Sequence, residues 1–183
     1  MKSDPKECLY CQNNETLHNL MIEVAQLSVS RVFLFKEQTY RGRCLVAYKD
    51  HVNDLNELSD EDRNAFMADV ARVTRAMQKA FQPEKINYGA YSDKLSHLHF
   101  HLAPKYVDGP DYGGVFQMNP GKVYLTDAEY QELIDAVKAN LYQLSHTILI
   151  ENLERVYFQN LLFQINRKER SYIITRITEG HLR

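Results

Sequence analysis

The chain lacks any apolar run approaching the roughly 18 residues that cross a bilayer, so no membrane span is expected. Its first residues, Met1-Lys2-Ser3-Asp4-Pro5-Lys6-Glu7, carry charges with no hydrophobic segment behind them, which is not the pattern of a secretory signal. Cysteine is scarce: three in 183 residues, an odd number that argues against a disulfide framework. Together these absences favour a reducing cytoplasm. Charge of one sign is lacking too. A net charge of −2 gives no global attraction to a nucleic-acid polymer or an anionic membrane. No internal repeat or low-complexity tract is visible. What remains is an ordinary globular composition, 44% apolar and 25% charged, with length for one domain and an appendage.

From Asn19 to His51 the chain reads as strands. Leu20, Ile22 and Val24 alternate with Met21, Glu23 and Ala25; Arg31–Phe35 is β-branched and aromatic; Cys44–Tyr48 follows a bend at Gly42. Short breaks between these runs predict an antiparallel meander. Ser59-Asp60-Glu61-Asp62 has the form of a capping box. The stripe Phe66, Val70, Val73, Met77 and Phe81 then predicts a helix over 60–81, stopped by Pro83. Ile86–Tyr91 reads as another strand, and Asp108–Gly114 as a loop. Thr126-Asp127-Ala128-Glu129 is a second capping box. It opens a helix over 127–144 with Tyr130, Leu133, Val137, Leu141 and Leu144 on its core face. Beyond Ser145, Ile148–Phe163 is apolar without a clean period and Ser171–Thr175 could form a strand. Residues 145–183 are expected to pack on the domain or on a dimer mate.

The most informative stretch is His97-Leu98-His99-Phe100-His101-Leu102. In a strand, alternate side chains share a face, so three imidazoles line one side while Leu98, Phe100 and Leu102 anchor the other. Burying three imidazoles is costly unless each finds a partner. Three readings are open. The central imidazole could act as a nucleophile, oriented by its neighbours. His-x-His could present two nitrogens to a metal. Or the rings could simply hydrogen-bond backbone and water. Strict alternation weakens the last, and Ala103-Pro104-Lys105 adds no ligand for the second. Separately, Cys8-Leu9-Tyr10-Cys11 has zinc-knuckle spacing but supplies only two thiolates, so a closed site needs two more ligands. The plainer reading is two reduced cysteines in a flexible terminus. Cys44 reads as a core thiol, and His18, His146 and His181 as surface residues.

His97-Leu98-His99-Phe100-His101-Leu102-Ala103 resembles the histidine triad (HIT) signature, in which three histidines alternate with apolar residues. Gly42-Arg43-Cys44-Leu45-Val46 with His51 is similar to the family's Gly-His-apolar-Leu-Val strand and its following His. Asn87-Tyr88-Gly89 resembles the Asn-x-Gly before the triad. The resemblance covers residues 8 to 144. It implies an α+β fold: an antiparallel sheet, a long flanking helix and a C-terminal helix, within a domain spanning 1–144. It implies a homodimer that binds a nucleoside phosphate and works at its α-phosphorus. His99 would be the nucleophile, forming a covalent nucleotidyl-histidine. His101 would contact phosphate, with His97 beside them. The reaction also needs donors around the developing phosphoryl charge: Asn87, Lys94 and Ser96 are candidates, the alternative for each being plain loop or strand-edge solvation.

Some HIT proteins recruit the matching histidines to an N-terminal Cys pair. That variant implies a structural Zn2+ on Cys8, Cys11, His51 and His97, with no cofactor needed for the chemistry. Three departures bear on substrate choice. Arg43 stands where the family often has a second His, which puts a cation among the expected nucleotide-binding residues. The ribose-holding acid or amide falls near Phe35, with Glu37 the nearest substitute. Asp93 stands where many members carry Gln. The reading from sequence is therefore a nucleotide hydrolase or nucleotidyl transferase. Its rivals are a catalytically weak nucleotide-binding or scaffold protein of the same fold, and a zinc-dependent hydrolase.

Overall fold

Alternating and β-branched sequence between residues 21 and 48 closes into three strands, β1 (Met21–Gln26), β2 (Ser30–Phe35) and β3 (Cys44–Tyr48). The computed structural model describes residues 4–91 and 93–142. The expectations for Leu144, His146, Ile148–Phe163, Ser171–Thr175 and His181 lie outside the described residues. Two later strands, β4 (Lys85–Gly89) and β5 (His99–Lys105), complete an antiparallel sheet of order β1-β2-β3-β5-β4. β5 is thus inserted between β3 and β4, with Leu45 opposite His101 and Ala47 opposite His99. His99 and His101 therefore sit on an interior strand, His101 paired on both sides and His99 with β3, while His97 lies just before the strand.

One reading needs correction. Leu20 belongs to a short helix, α2 (Glu15–Leu20), which follows another, α1 (Leu9–Gln12). The local signal is Asn14, whose side chain accepts from the Thr16 and Leu17 N–H groups and so caps α2. The alternation expected in β1 is also interrupted. The register shifts between Glu23 and Ala25, so Val24 and Ala25 join the same apolar cluster.

Both capping boxes form. Ser59 Oγ accepts from the Asp62 N–H at the start of α3 (Asp60–Phe81). Thr126 and Glu129 exchange bonds at the start of α4 (residues 127–142), where the Thr126 N–H donates to the Glu129 carboxylate. Phe66, Val70, Val73 and Met77 of α3 and Tyr130, Leu133, Val137 and Leu141 of α4 are buried against Val32, Leu34, Val46 and Leu102. Fully burying one such side chain contributes about 1.5–3 kcal/mol, so this face dominates stability. Gly42 must be glycine: its φ is 86°, and a Cβ there would meet the Phe81 ring at 2.4 Å.

The opposite face is covered differently. Cys8, Tyr10, Leu17 and Met21 pack on Phe33, Phe35, Leu45 and Ala47. The irregular segment 106–126 closes the rest, with Phe116 against Tyr40 and Ala103. The histidines lie between these two covers. No helix among the described residues is long and apolar enough to cross a membrane.

Candidate active site and metal cluster

All three triad histidines are buried, and each has a ring nitrogen bonded to a neighbouring backbone carbonyl or to Arg43. His99 Nδ1 lies 2.6 Å from the backbone carbonyl oxygen of His97. A carbonyl only accepts, so Nδ1 carries the proton and Nε2 keeps its lone pair. His97 precedes the regular strand; its Nε2 donates to the Tyr48 carbonyl at 2.9 Å, leaving Nδ1 with the lone pair. His101 Nδ1 receives Arg43 Nη2 at 2.9 Å. Arginine has no acceptor, so the His101 proton sits on Nε2.

Burial holds all three imidazoles neutral. It pushes His97 down to about 4, against the opposing bond to Tyr48. It lowers His99 as well, with Arg43 adding to the effect. It takes His101 to about 2, reinforced by the adjoining guanidinium and His99.

His99 and His101 line a pocket whose floor is apolar: Leu20, Met21, Phe35 and Leu45. Tyr10, Tyr91 and Met118 wall it, and Asp93, Lys94 and Asn119 supply its polar rim. An apolar floor with a few convergent polar groups is the usual form of a small-molecule site. Tyr10 stacks on His97 with ring centroids 4.9 Å apart and reaches His99 at 5.1 Å. The Cys-x2-Cys segment therefore also forms a wall of the pocket.

Cys8, Cys11, His51 and His97 come together with their candidate ligand atoms all within 4.8 Å of one another. Cys8 Sγ is 3.3 Å from His97 Nδ1, Cys11 Sγ is 3.3 Å from His51 Nδ1, and Cys11 Sγ is 3.7 Å from His97 Nδ1. Zinc bonds of about 2.3 Å to sulfur and 2.0–2.1 Å to nitrogen at tetrahedral angles put such atoms about 3.5 Å apart. The donor set and spacing fit a closed zinc site. The Tyr48 carbonyl supplies the outer hydrogen bond that orients the His97 ring.

A family model described as "HIT domain" matches residues 17–108. This chain belongs to the HIT domain family. Adenosine 5'-monophosphoramidase hnt1 of Schizosaccharomyces pombe is 32% identical over 89 residues, which cover 46% of this chain and 64% of that relative. The chain thus spans less than two thirds of that relative's length. A histidine triad protein from Bradyrhizobium japonicum shares the fold at a TM-score of 0.64 and 19% identity, over 70% of this chain and 96% of its own. A Zn-bound histidine triad family protein from Mycobacterium smegmatis superposes at 0.56 with 19% identity, over 79% and 99% of the two chains.

Within this HIT fold the remaining expected residues divide. Lys94 is exposed at the pocket rim. Asn87 is on the histidine side of β4, opposite Ala103, but its Nδ2 donates to the Gly114 carbonyl at 3.3 Å and it does not line the pocket that His99 and His101 share. Ser96 is half-buried and does not line the pocket. Glu37, expected at the ribose, lies away from the pocket and is buried. Its Oε1 accepts from the Thr39 hydroxyl and from the Lys122 and Val123 N–H groups at 3.1 and 3.2 Å.

Arg43 is fully buried behind His101, not facing the pocket. Its guanidinium lies over Phe35 and Phe116, and Nη1 donates to the Met118 carbonyl at 2.7 Å. Burial lowers Arg43 to about 10, and the Glu37 carboxylate opposes that fall, so the cation persists at neutral pH. The Glu37 carboxylate thus partly offsets the buried charge of Arg43, without a direct ion pair between them among the described residues. Sequence reading missed Met118 and Asn119, because their approach depends on how segment 106–126 folds back. It also missed Tyr10, although its place between two candidate zinc ligands was a signal.

Proposed function

We propose that this protein is a nucleotide hydrolase or nucleotidyl transferase acting at the α-phosphate of a nucleoside phosphate ester, phosphoramidate or dinucleoside polyphosphate. The observation that carries it is the bond from His99 Nδ1 to the His97 carbonyl, which fixes the proton on Nδ1 and leaves the Nε2 lone pair free at a pocket. In this reading the His99 Nε2 lone pair forms the bond to phosphorus while the leaving group departs with its electron pair. Water or another acceptor then displaces His99 and releases the nucleotide. His101 donates from Nε2 to a phosphoryl oxygen, and Lys94 at the rim attracts the anion. The apolar floor suits a nucleoside. The phosphoramidase relative and the family membership support the substrate class.

Zinc belongs to the same reading as a structural ion on Cys8, Cys11, His51 and His97. Its role when bound is to tie α1 to the sheet beside the pocket. It would take no part in the phosphoryl chemistry, which this chain's own side chains supply. Reduced thiols at this cluster accord with a cytoplasmic setting. A homodimer is supported by β4, which ends the sheet with its outer edge unpaired among the described residues. In this reading residues 1–144 form the catalytic domain and 145–183 an accessory segment.

The test is a mass spectrum of protein quenched during incubation with candidate nucleotides. A nucleotide adduct on His99, absent from His99→Ala, is the expected result. Tight binding with neither adduct nor turnover would favour the scaffold reading, to which Asp93 at the anion-binding rim lends weight.

A further inference from the structure

We propose that Arg43 is a positioning residue that locks His101 as a fixed hydrogen-bond donor, so that the site favours nucleotides whose leaving group departs as a stable anion over those that need a proton to leave. This rests on the nucleotidyl-transfer reading above and narrows its substrate class.

The geometry is that of a clamp. Arg43 Nη1 is fixed by the Met118 carbonyl and the guanidinium is sandwiched by two rings, 4.5 Å from Phe35 and 4.9 Å from Phe116. Nη2 is thereby held 2.9 Å from His101 Nδ1. A histidine in the place of Arg43 could accept a proton from His101 or return one. Arginine can do neither, because it has donors only and keeps its charge. The groups facing His101 are Arg43 before β3, His99 on its own strand and Tyr91 beyond β4, with Phe35 and Phe116 completing the enclosure. Asp93 and Lys94 are exposed on the rim of the same pocket. No carboxylate in that set contacts His101 to stabilise an imidazolium, and the cation beside it opposes one.

The consequence follows from electron counting. When the His99–phosphorus bond forms, the bond to the leaving group breaks and its electron pair goes with that group. Phosphate, polyphosphate or carboxylate carries the pair as a stable anion. An alkylamine must gain a proton at nitrogen as it leaves. His101 holds only its Nε2 proton, which a neutral imidazole gives up with difficulty. The His99 Nδ1 proton is committed to the His97 carbonyl. Neither imidazole therefore supplies the proton for an amine, which is left to water or to the exposed Lys94 ammonium at the rim. A missing general acid slows such a step on the order of 100-fold or more.

Two measurements test this. The first compares kcat/KM for diadenosine triphosphate and an alkyl adenosine phosphoramidate in the native protein and in Arg43→His. The native protein should prefer the triphosphate on the order of 100-fold. Arg43→His should shrink that ratio and add an ionisation between pH 6 and 7 to the phosphoramidate profile. The second is the ring-nitrogen NMR spectrum of the native protein labelled at histidine, which does not depend on any variant folding. His101 should carry its proton on Nε2 and show no titration from pH 8 to 5. A proton on Nδ1, or titration near pH 6.5, overturns the positioning role. Native preference for the phosphoramidate overturns the leaving-group inference yet leaves the nucleotidyl-transfer reading standing. Absence of turnover and of adduct with both nucleotides overturns that reading and the leaving-group inference together, while the spectrum still decides how Arg43 holds His101.

Discussion

The two faces of the sheet are made by the same strands and obey different rules. Phe100 and Leu102 point to a face closed by α3 and α4, where apolar contact sets the packing and two capping boxes start the helices. His99 and His101 point the other way, to a face closed by a short cysteine-bearing segment and an irregular loop. There every polar group needs its own partner: the His97 carbonyl for His99, the Tyr48 carbonyl for His97, Arg43 for His101, Glu37 near Arg43. The first face is tolerant because dispersion and burial are non-directional. The second is exacting because buried hydrogen bonds are directional and expensive to leave unmade. Stability and chemistry are thus largely separated across one layer of backbone, and substitutions should separate them too.

The largest effect is expected from His99→Ala. Removing a nucleophile lowers turnover on the order of 10^4-fold or more. Stability should fall by about 1–3 kcal/mol for the bond to the His97 carbonyl left unmade, less than a loss from the apolar cluster on α3 and α4, which is untouched. A large fall in melting temperature without loss of turnover would invert the assignment of the faces.

Phe66→Ala probes the other side. Phe66 is fully buried against Tyr48 and Phe100, and its removal should cost about 3–5 kcal/mol in denaturant unfolding. Activity per folded molecule should be retained. Loss of activity at full folding would mean that strain passes through β5 to the histidines.

Metal removal is intermediate, because the cysteine segment belongs to the histidine face but holds by coordination. If zinc occupies the four-residue cluster, free zinc at 100 times its Kd stabilises the native state by about 2.7 kcal/mol. Chelation should lower the melting temperature accordingly, and Cys11→Ser should abolish stoichiometric zinc in elemental analysis. Unchanged metal content in Cys11→Ser would reject this ligand set.

The two faces also differed in how far the sequence revealed them. The α3/α4 side was legible because periodicity reports burial directly: Phe66, Val70, Val73 and Met77 recur at helical spacing and are buried. The histidine side was legible only as a list. Alternation grouped His99 with His101, and Cys-x2-Cys with the family pattern grouped Cys8, Cys11, His51 and His97. Which nitrogen bonds to what was not readable, because it depends on the Tyr48 and His97 carbonyls and on Arg43, brought together by strand register. Glu37 shows the limit most clearly. Proximity in sequence suggested the ribose, whereas segment 106–126 returns two N–H groups to it and keeps it in the interior.

The smallest predicted effect, per unit of pH, concerns His101 and isolates the directional cost of the histidine face. In the unfolded chain its imidazole takes up a proton near pH 6.5; in the native chain burial and Arg43 defer that to about pH 2. Above pH 6.5 both states hold a neutral ring and His101 contributes no slope. Below it the unfolded state binds the extra proton, so stability falls as pH falls, by at most about 1.4 kcal/mol per pH unit from this residue. His101→Gln keeps an acceptor for Arg43 Nη2 and cannot titrate. Its unfolding free energy should therefore decline less steeply between pH 6.5 and 4.5 than that of the native protein. Parallel slopes for the two proteins would mean that His101 protonates equally in both states, and that the enclosure formed by Arg43, Phe35 and Phe116 does not exclude a second charge.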